Sequence, residues 1–249
     1  MKVLQFLYQW LIAVPILLVL TVFTAIFTIL TSPWRNAEFV HREQQFWSRC
    51  FFGLFGNIPQ IEGVENLQKG QSYVFVCNHV SLFDVWLVYG WLPVVFKWIM
   101  KQELRKVPFV GSGCYAAGHI FIDRRNPRAA KESLERAKSI LKDGVSLVVF
   151  PEGTRSKNGE VQAFKRGAFQ IAFDLDLPVV PISLSGMHDI MPKGTYFVHT
   201  FVRTKMKIGQ PVSLHEYMKA DPSDSAAVRQ EQLQVMEVLR EKVIAGKEW

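Results

Sequence analysis

The chain opens with a long apolar segment and then alternates between short apolar runs and mixed polar stretches. Residues 3–30 consist mostly of Leu, Val, Ile and Phe and contain no charged side chain. As a single helix they would extend about 42 Å at ~1.5 Å per residue, which exceeds the ~30 Å hydrocarbon core of a bilayer. The segment therefore predicts a membrane helix that tilts, kinks at Pro15, or lies partly in the membrane interface.

A cleaved signal sequence is the alternative interpretation of this segment. Its apolar core would be about 7 to 15 residues long and would end in small residues suited to cleavage. Residues 28–33 read TILTSP and do not fit such a site, so we expect the helix to be retained. Three arginines follow within residues 35–49, and if the segment spans, they predict that the rest of the chain lies on the cytoplasmic side of an inner membrane.

Residues 36–52 combine charged and aromatic side chains in a pattern that predicts a second, amphipathic helix. This helix could pack on a soluble domain, or it could lie in the membrane interface beside the first helix, which we favour. The chain is accordingly divided into an N-terminal membrane-anchoring segment, residues 1–52, and one domain formed by residues 53–249.

From residue 73 onward, β-branched and aromatic runs alternate with helical patterns, which predicts an α/β domain. The runs predicted to be strands are residues 73–76, 118–122, 146–150 and 177–185. Pro178 and Pro181 interrupt the last of these, so we expect it near a sheet edge or a bulge. The glycines at 111 and 113 predict a turn, and further helices are expected from residues 126, 164 and 221.

Composition narrows the class of partner. The 249 residues are 49% hydrophobic and 20% charged, with a formal net charge of +7. A basic chain invites a nucleic-acid interpretation, but beside a membrane segment the simpler explanation is attraction to anionic lipid, so we expect no nucleic-acid partner. The three cysteines are widely separated, which predicts free thiols and neither a disulfide framework nor a zinc site.

The first segment with candidate chemistry is residues 78–84, NHVSLFD, between the predicted strand 73–76 and an apolar helix. A regular helix or strand would not bring His79 to Asp84, whereas a turn can. An imidazole held by a carboxylate at one ring nitrogen can accept a proton at the other, as a general base does. The structural alternative is a helix capping box formed by Ser81 and Asp84.

The second such segment is residues 151–156, PEGTRS, directly after the predicted strand 146–150. A glycine turn with hydroxyls and an arginine can bind a phosphate through backbone amides and the guanidinium of Arg155. The alternative is a surface loop whose arginine is merely solvated. Because the ends of parallel strands share one sheet edge, we expect the two segments to meet.

A third basic stretch, residues 94–106, predicts either a solvated helical face or a surface that binds a lipid headgroup or an acidic carrier protein. Its four cations lie among aromatic and aliphatic side chains. They are Lys97, Lys101, Arg105 and Lys106.

Four segments, taken in order, resemble the sequence blocks of the glycerolipid acyltransferases, most closely the 1-acylglycerol-3-phosphate acyltransferase branch. They read NHVSLFD, GHIFIDR, FPEGTRS and VVPISL, at residues 78–84, 118–124, 150–156 and 179–184. With the N-terminal segment, the resemblance covers nearly the whole chain.

This resemblance implies a mixed α/β fold and transfer of a fatty acyl group from acyl-coenzyme A or acyl carrier protein. The acceptor would be the sn-2 hydroxyl of lysophosphatidic acid, giving phosphatidic acid in membrane lipid synthesis. His79 would be the general base and Asp84 its orienting partner. No metal and no bound cofactor are implied, only the thioester co-substrate, and the acyl chain would lie in an apolar tunnel.

The resemblance also implies a set of substrate-binding residues. Arg155 and Lys101 would bind phosphate, with Arg124 a further candidate, and Glu152 would have a structural role at the pocket floor. The set is Asn78, Lys101, Arg124, Glu152, Gly153, Thr154 and Arg155. Two alternatives stay open: an acyltransferase for another lysophospholipid or lyso-aminolipid, and a non-catalytic membrane protein that binds lipid. A serine hydrolase is disfavoured because no Gly-x-Ser-x-Gly occurs.

Overall fold

The computed structural model describes residues 2–123, 125–141 and 143–247. Within these ranges the chain forms nine α-helices and seven β-strands. The helices are α1 (Lys2–Tyr8), α2 (Val14–Thr31), α3 (Ala37–Leu54), α4 (Phe83–Trp91), α5 (Val110–Ala116), α6 (Pro127–Ile140), α7 (Gln170–Leu175), α8 (Met187–Ile190) and α9 (Ser225–Ala245). The strands are β1 (Pro59–Glu62), β2 (Val74–Cys77), β3 (Phe96–Lys101), β4 (Ile120–Ile122), β5 (Ser146–Val149), β6 (Val179–Ser185) and β7 (Thr204–Ile208).

The strands form one sheet in the order β1-β7-β6-β2-β5-β3-β4. β6 and β7 run antiparallel, and the other neighbouring pairs are parallel. The sheet is therefore mixed, and the predicted α/β fold with flanking helices is confirmed. The carboxyl ends of β2, β5, β3 and β4 lie along one edge, in that order.

Helices cover both faces of the sheet, and side chains alternate between two hydrophobic clusters along each strand. In β2, Phe75 and Cys77 belong to the cluster under α3 and α4, whereas Val74 and Val76 belong to the one under α6, α7 and α9. Burial on both faces explains why the central strands read as continuous apolar runs.

The strand β6 lies inside the sheet, between β7 and β2, so the predicted position near an edge was wrong. Gly209 N–H donates to Pro181 O at 2.8 Å, which shows that Pro181 turns its backbone toward β7. The antiparallel ladder with β7 begins one residue later, at Ile182. Pro181 has no N–H to return the bond to Gly209, so the ladder loses one bond at its end and none of the bonds farther along.

Two local predictions were also wrong. Residues 94–106 do not form a helix: they form β3 and then the 3-10 turn Gln102–Lys106. The glycines at 111 and 113 lie inside α5 and not in a turn. A Cβ on Gly113 would stand 3.0 Å from the Cβ of Ala25 in α2, so glycine allows the two helices to pack closely.

The predicted helices in the second half of the chain are present with shifted starts. The helix expected from residue 126 is α6. The one expected from residue 164 begins as the 3-10 turn Arg166–Ala168 and continues as α7. In α9 the capping residue is Asp224, whose carboxylate accepts from Ala226 N–H and Ala227 N–H.

The N-terminal apolar segment forms α1 and α2, joined by the π-helical turn Gln9–Ala13. This wide turn directly precedes the helix turn that contains Pro15, whose ring would clash with the carbonyl four residues earlier in a regular helix. Residues Val3–Thr31 contain an 18-residue stretch with a mean hydropathy of 2.6, and the segment is long and apolar enough to cross a membrane.

One side of this apolar helix lies against the rest of the molecule along its whole length. Ala13, Leu17 and Ala25 are buried there, whereas the opposite side exposes large apolar side chains such as Leu4 and Leu18. The polar side chains of the segment donate or accept hydrogen bonds across this contact. The pairs are Gln5 Nε2–Val198 O (3.0 Å), Val198 N–Gln9 Oε1 (2.9 Å), Trp47 Nε1–Thr21 Oγ1 (3.0 Å) and Thr28 Oγ1–Glu43 Oε1.

The predicted boundary at residue 52 falls near the end of α3. Phe51 and Phe52 belong to the hydrophobic cluster that α4 completes with Phe83, and their rings contact Trp86 and Phe83. The N-terminal segment and the domain thus share one core. The predicted boundary therefore does not coincide with a gap in packing.

Candidate active site

The turn between β2 and α4, residues 78–84, is here called the base turn. His79 Nδ1 lies 2.8 Å from Asp84 Oδ2. The same oxygen accepts Val80 N–H at 2.7 Å and Ser81 N–H at 2.8 Å. Because a carboxylate oxygen can only accept, this arrangement requires the tautomer with a hydrogen on Nδ1, which leaves Nε2 free to accept a proton.

The face of the His79 imidazole also contacts an aromatic ring. Its ring stacks on Phe150, with 4.0 Å between centroids and 12° between planes, and Phe150 in turn stacks on Trp98 at 5.2 Å. The His79 side chain is 15% exposed and that of Asp84 is fully buried. Among the described residues Nε2 has no hydrogen-bond partner, so one ring nitrogen is fixed and the other is open to a substrate.

Ser81 has a structural part in the base turn. Its hydroxyl donates to Met191 O at 2.9 Å and accepts Phe83 N–H at 3.3 Å, and the residue is completely buried. Asp84 meanwhile holds both the backbone of the turn and the imidazole. Only half of the predicted capping box is present: Asp84 accepts Ser81 N–H, but α4 begins at Phe83 and its N-cap is Leu82, which makes no side-chain cap.

The loop of residues 151–156, here called the arginine loop, is fastened to the base turn. Glu152 Oε1 accepts His79 N–H at 2.7 Å and its Oε2 accepts Gln162 N–H at 3.1 Å. Ser156 N–H donates to His79 O at 2.7 Å. The two segments thus meet at one sheet edge, as their positions after β2 and β5 predict.

Glu152 is only 2% exposed. Burial raises the pKa of its carboxyl above the ordinary value, and the hydrogen bond from His79 N–H acts in the opposite direction. Both oxygens hold backbone groups of other segments, which favours the structural role predicted for this residue.

Asn78 serves the scaffold. It is fully buried, its Nδ2 donates to Leu184 O at 3.0 Å, and its Oδ1 accepts Leu184 N–H at 2.8 Å. Both ends of the amide are therefore engaged between β2 and β6. This geometry favours a positioning role over the predicted contact with substrate.

The predicted phosphate ligands lie along the same edge as His79. Lys101 ends β3 and is exposed, and Arg155 is half-buried in the arginine loop. Since β5 lies between β2 and β3 and strands are about 4.8 Å apart, Lys101 follows some 10 Å beyond the base turn. Gly153 has a φ of 75°, a conformation that favours glycine in this turn. Arg124 lies outside the described residues.

Two contacts at the site had no counterpart in the sequence interpretation. One is the Phe150 ring beneath His79, for which the aromatic residue directly after a strand was the available signal. The other is Lys193, whose Nζ donates to Arg155 O at 2.6 Å and to Thr154 Oγ1 at 3.3 Å. Lys193 lies far from both segments along the chain, and no local pattern marks it.

The four cations of residues 94–106 do not form one surface. Lys97 is only 6% exposed and its Nζ donates to Ala117 O at 2.6 Å. Burial lowers the pKa of Lys97 to about 8. Its expected part in docking was therefore wrong, whereas Lys101, Arg105 and Lys106 have accessible side chains.

The cysteine that directly precedes the base turn is Cys77. Cys77 is fully buried, and burial, followed by the nearby charge of Asp84, raises the pKa of its thiol well above the ordinary value. Across the described residues, no three His, Cys, Asp or Glu side chains are grouped as ligands of a metal ion would be.

Comparison with known proteins gives a consistent set of matches. A family model described as Acyltransferase matches residues 58–185. The 1-acyl-sn-glycerol-3-phosphate acyltransferase LPAT1, chloroplastic, of Arabidopsis thaliana is 34% identical over 81% of this chain and 56% of its own length. The 1-acyl-sn-glycerol-3-phosphate acyltransferase alpha of Mus musculus is 33% identical over 78% of this chain and 68% of its own.

A solved structure matches nearly end to end. It is the crystal structure of the 1-acyl-sn-glycerophosphate (LPA) acyltransferase PlsC from Thermotoga maritima. It has a TM-score of 0.75 and 30% sequence identity, and the match covers 99% of this chain and 97% of that one. By contrast, the chain spans about half the length of the plant relatives it matches.

Proposed function

Because the chain belongs to the acyltransferase family whose model matches residues 58–185, we propose that it transfers a fatty acyl group to the sn-2 hydroxyl of lysophosphatidic acid, giving phosphatidic acid. The observation that carries the proposal is the His79–Asp84 pair, in which Nδ1 is held at 2.8 Å and Nε2 is open. The names of the relatives support the acceptor, since the Arabidopsis, mouse and Thermotoga proteins are each described as acting on it.

The reaction follows from the open ring nitrogen. Nε2 of His79 accepts the proton of the acceptor hydroxyl while the hydroxyl oxygen attacks the carbonyl carbon of the thioester. Asp84 orients the ring and stabilises the imidazolium that forms. The tetrahedral intermediate then collapses with cleavage of the carbon–sulfur bond, and the imidazolium returns its proton to the leaving thiolate. No bound cofactor takes part, because the thioester itself carries the activated acyl group.

The phosphate of the acceptor is bound by Arg155 and Lys101 in this proposal. Both cations lie at the same sheet edge as the base turn, Arg155 after the neighbouring strand β5 and Lys101 at the end of β3, one strand farther. Neither has a carboxylate partner among the described residues. A guanidinium and an ammonium without counter-charges are suited to a phosphomonoester. Asn78 and Glu152 act indirectly, by holding the backbone on which the site is built.

The donor is acyl-coenzyme A or acyl-acyl carrier protein, both of which are acidic. Lys101, Arg105 and Lys106 are the accessible cations nearest the end of β3, and Arg105 lies 4.3 Å above the ring of Tyr115. A basic surface of this kind attracts an acidic partner over a distance set by the ionic strength.

The membrane helix lies in one leaflet in our proposal, with the domain on the cytoplasmic side. Gln5 and Gln9 bind Val198 of the domain at one end of α1–α2, and Thr28 binds Glu43 of α3 at the other. If the helix crossed the bilayer, these partners would be drawn into hydrocarbon, where unsatisfied polar groups cost several kcal/mol each (roughly 2–7). Cysteines introduced by Val3→Cys and Trp34→Cys should therefore react with an impermeant reagent from the same side of sealed vesicles; labelling from opposite sides would show that the helix crosses.

The function is tested by incubating detergent-solubilised protein with labelled acyl-coenzyme A or acyl-acyl carrier protein and a panel of lysolipids, followed by lipid chromatography. We expect labelled phosphatidic acid from lysophosphatidic acid and about 10³-fold slower formation of it with the His79→Ala variant. A different labelled product would change the acceptor. Lipid binding without product from any donor would support the non-catalytic alternative.

A further inference from the structure

The loop after α8, residues 191–203, passes beside both parts of the candidate site. Ser81 Oγ–H donates to Met191 O at 2.9 Å. Two residues later, Lys193 Nζ donates to Arg155 O at 2.6 Å and to Thr154 Oγ1 at 3.3 Å. One short stretch of chain thus contacts the base turn through Met191 and the arginine loop through Lys193.

The partners of Lys193 are neutral oxygens. In the part of the chain that the structure describes, no carboxylate lies within ion-pair distance of its ammonium. Arg155 likewise has no such partner there. Neutral acceptors orient an ammonium without cancelling its charge, and two contacts leave one of its three N–H groups for a ligand. Two uncompensated cations, Arg155 in the arginine loop and Lys193 in the loop after α8, are therefore brought together by this contact next to the base turn.

The same loop is fixed to the membrane helix. Val198 N–H donates to Gln9 Oε1 at 2.9 Å, and Gln5 Nε2 donates to Val198 O at 3.0 Å. α1 thereby holds the loop that carries Lys193 against the apolar helix. A lipid whose acyl chain lay along the apolar helix would bring its polar headgroup toward the cations at the sheet edge.

From these contacts we infer that Lys193 binds the phosphate of the acceptor together with Arg155, and that this pair selects a phosphomonoester over a neutral or zwitterionic headgroup. The inference rests on the proposed function and names a further specificity-determining residue for it. A phosphomonoester carries roughly 1.5 to 2 negative charges at neutral pH, which two adjacent cations match. A zwitterionic headgroup would leave the pair uncompensated and would bring a cation of its own against it.

A purely structural role for Lys193 makes a different prediction. If the side chain only fastened the arginine loop, any donor of similar length would serve. Lys193→Gln keeps a hydrogen-bond donor and loses the charge, Lys193→Arg keeps both, and Lys193→Met loses both. Lys69→Met is the matched control, since Lys69 is exposed just ahead of β2, at the opposite edge of the sheet.

Phosphorus NMR measures the binding of lysophosphatidic acid to the full chain in non-ionic detergent, with no acyl donor present. We expect Lys193→Gln and Lys193→Met to weaken binding by about tenfold, as the loss of one charge-assisted contact would. The affinities of Lys193→Arg and Lys69→Met should stay within about threefold of that of the parent protein, which is well below the tenfold change expected from loss of the contact. Wild-type affinity in Lys193→Gln would overturn the inference.

A second arm tests selectivity and separates this inference from the proposed function. Binding of lysophosphatidylcholine should be weak in the parent protein and unchanged in Lys193→Met; an equal loss for both lipids would contradict a role in headgroup selection. Acyl transfer is assayed on the same samples. If the parent protein binds lysophosphatidic acid but makes no product, the proposed function fails while the binding result still decides the role of Lys193.

Discussion

The base turn and the cation side of the site are built in opposite ways. His79 and Asp84 are five residues apart and largely buried. One oxygen of Asp84 binds both the imidazole of His79 and two backbone N–H groups of the same turn. Lys101, Arg155 and Lys193 come from three separate segments and keep accessible side chains. The first region is a rigid local unit, whereas the second is assembled by the topology of the sheet.

This difference indicates which property each region controls. A ring held by a carboxylate and stacked on Phe150 has one orientation, so changes there should alter the rate of the chemical step. Cations without counter-charges contribute to binding and can be removed without leaving a buried carboxylate unpaired. Changes on that side should therefore alter the acceptor's KM and leave kcat nearly intact.

The largest effect is expected from His79→Ala. Removal of the general base should lower kcat by about 10³-fold, with little change in the KM of either substrate. The fold should persist, because Asp84 Oδ2 still accepts Val80 N–H and Ser81 N–H. Steady-state kinetics and thermal unfolding of the same preparation check both statements. Unfolding of the variant, or activity near that of the parent, would contradict the division between the two regions.

On the cation side of the site, Arg155→Met should have the largest effect on binding of the acceptor. Loss of a charge-assisted contact to phosphate should raise the KM for lysophosphatidic acid roughly 10- to 100-fold. The KM for the acyl donor and the kcat should change little, and Lys69→Met should behave like the parent. A large fall in kcat at saturating acceptor would instead show that Arg155 acts on the reacting atoms.

Lys97 lies in the same basic stretch of sequence as Lys101, but its surroundings differ from those of the cations that are proposed to bind phosphate. It is buried, and its pKa falls to about 8. Below pH 8 it is charged in both the folded and the unfolded chain, so burial costs stability. That cost disappears as the pH rises from about 8 to 10.5, which is the ordinary pKa of a lysine.

Lys97→Met should accordingly stabilise the protein at pH 7. The gain is about 2 kcal/mol, since a shift of this size is worth on the order of 3 kcal/mol and the lost bond to Ala117 O offsets about 1. Near pH 10.5 the gain should be gone. Denaturant unfolding at pH 7 and pH 10.5 measures the free energy of unfolding of the variant and of the parent protein. The same difference between them at both pH values would refute the burial argument. The KM for acyl-acyl carrier protein should not change.

The parts predictable from the sequence were those whose signal is local. The alternation of β-branched runs and helical patterns predicted the α/β sheet, and the spacing of His79 and Asp84 on a strand-to-helix turn predicted their contact. The position of Arg155 after a second strand predicted that the two loops share an edge. Each of these inferences needed only a few consecutive residues and a general rule of parallel sheets.

What could not be predicted depends on distant partners. Pro181 indicated an edge strand, but the ladder it interrupts ends just where its N–H is missing. The glycines at 111 and 113 indicated a turn, but Gly113 allows α5 to approach Ala25, and a Cβ on Gly111 would clash with the carbonyl oxygen of Arg105. Lys193 reaches the site through a loop whose course is fixed by contacts to Ser81 and Gln9, and no spacing in the sequence encodes that path.

The smallest effect is expected where the two regions touch. Ser81→Ala removes the bond to Met191 O and the acceptor for Phe83 N–H, both of them buried. Stability should fall by about 1–2 kcal/mol, and kcat should stay within about threefold of the parent, because a hydroxyl committed to two backbone groups takes no part in proton transfer.

The acceptor's KM should nevertheless rise by about two- to threefold, since Met191 is two residues from Lys193 and a loosened loop orients the ammonium less well. The KM for the acyl donor should not move. A loss of kcat as large as that of His79→Ala would indicate that Ser81 attacks the thioester itself. A reduced stability with both KM values unchanged would show that the base turn and the cation side are not coupled through this loop.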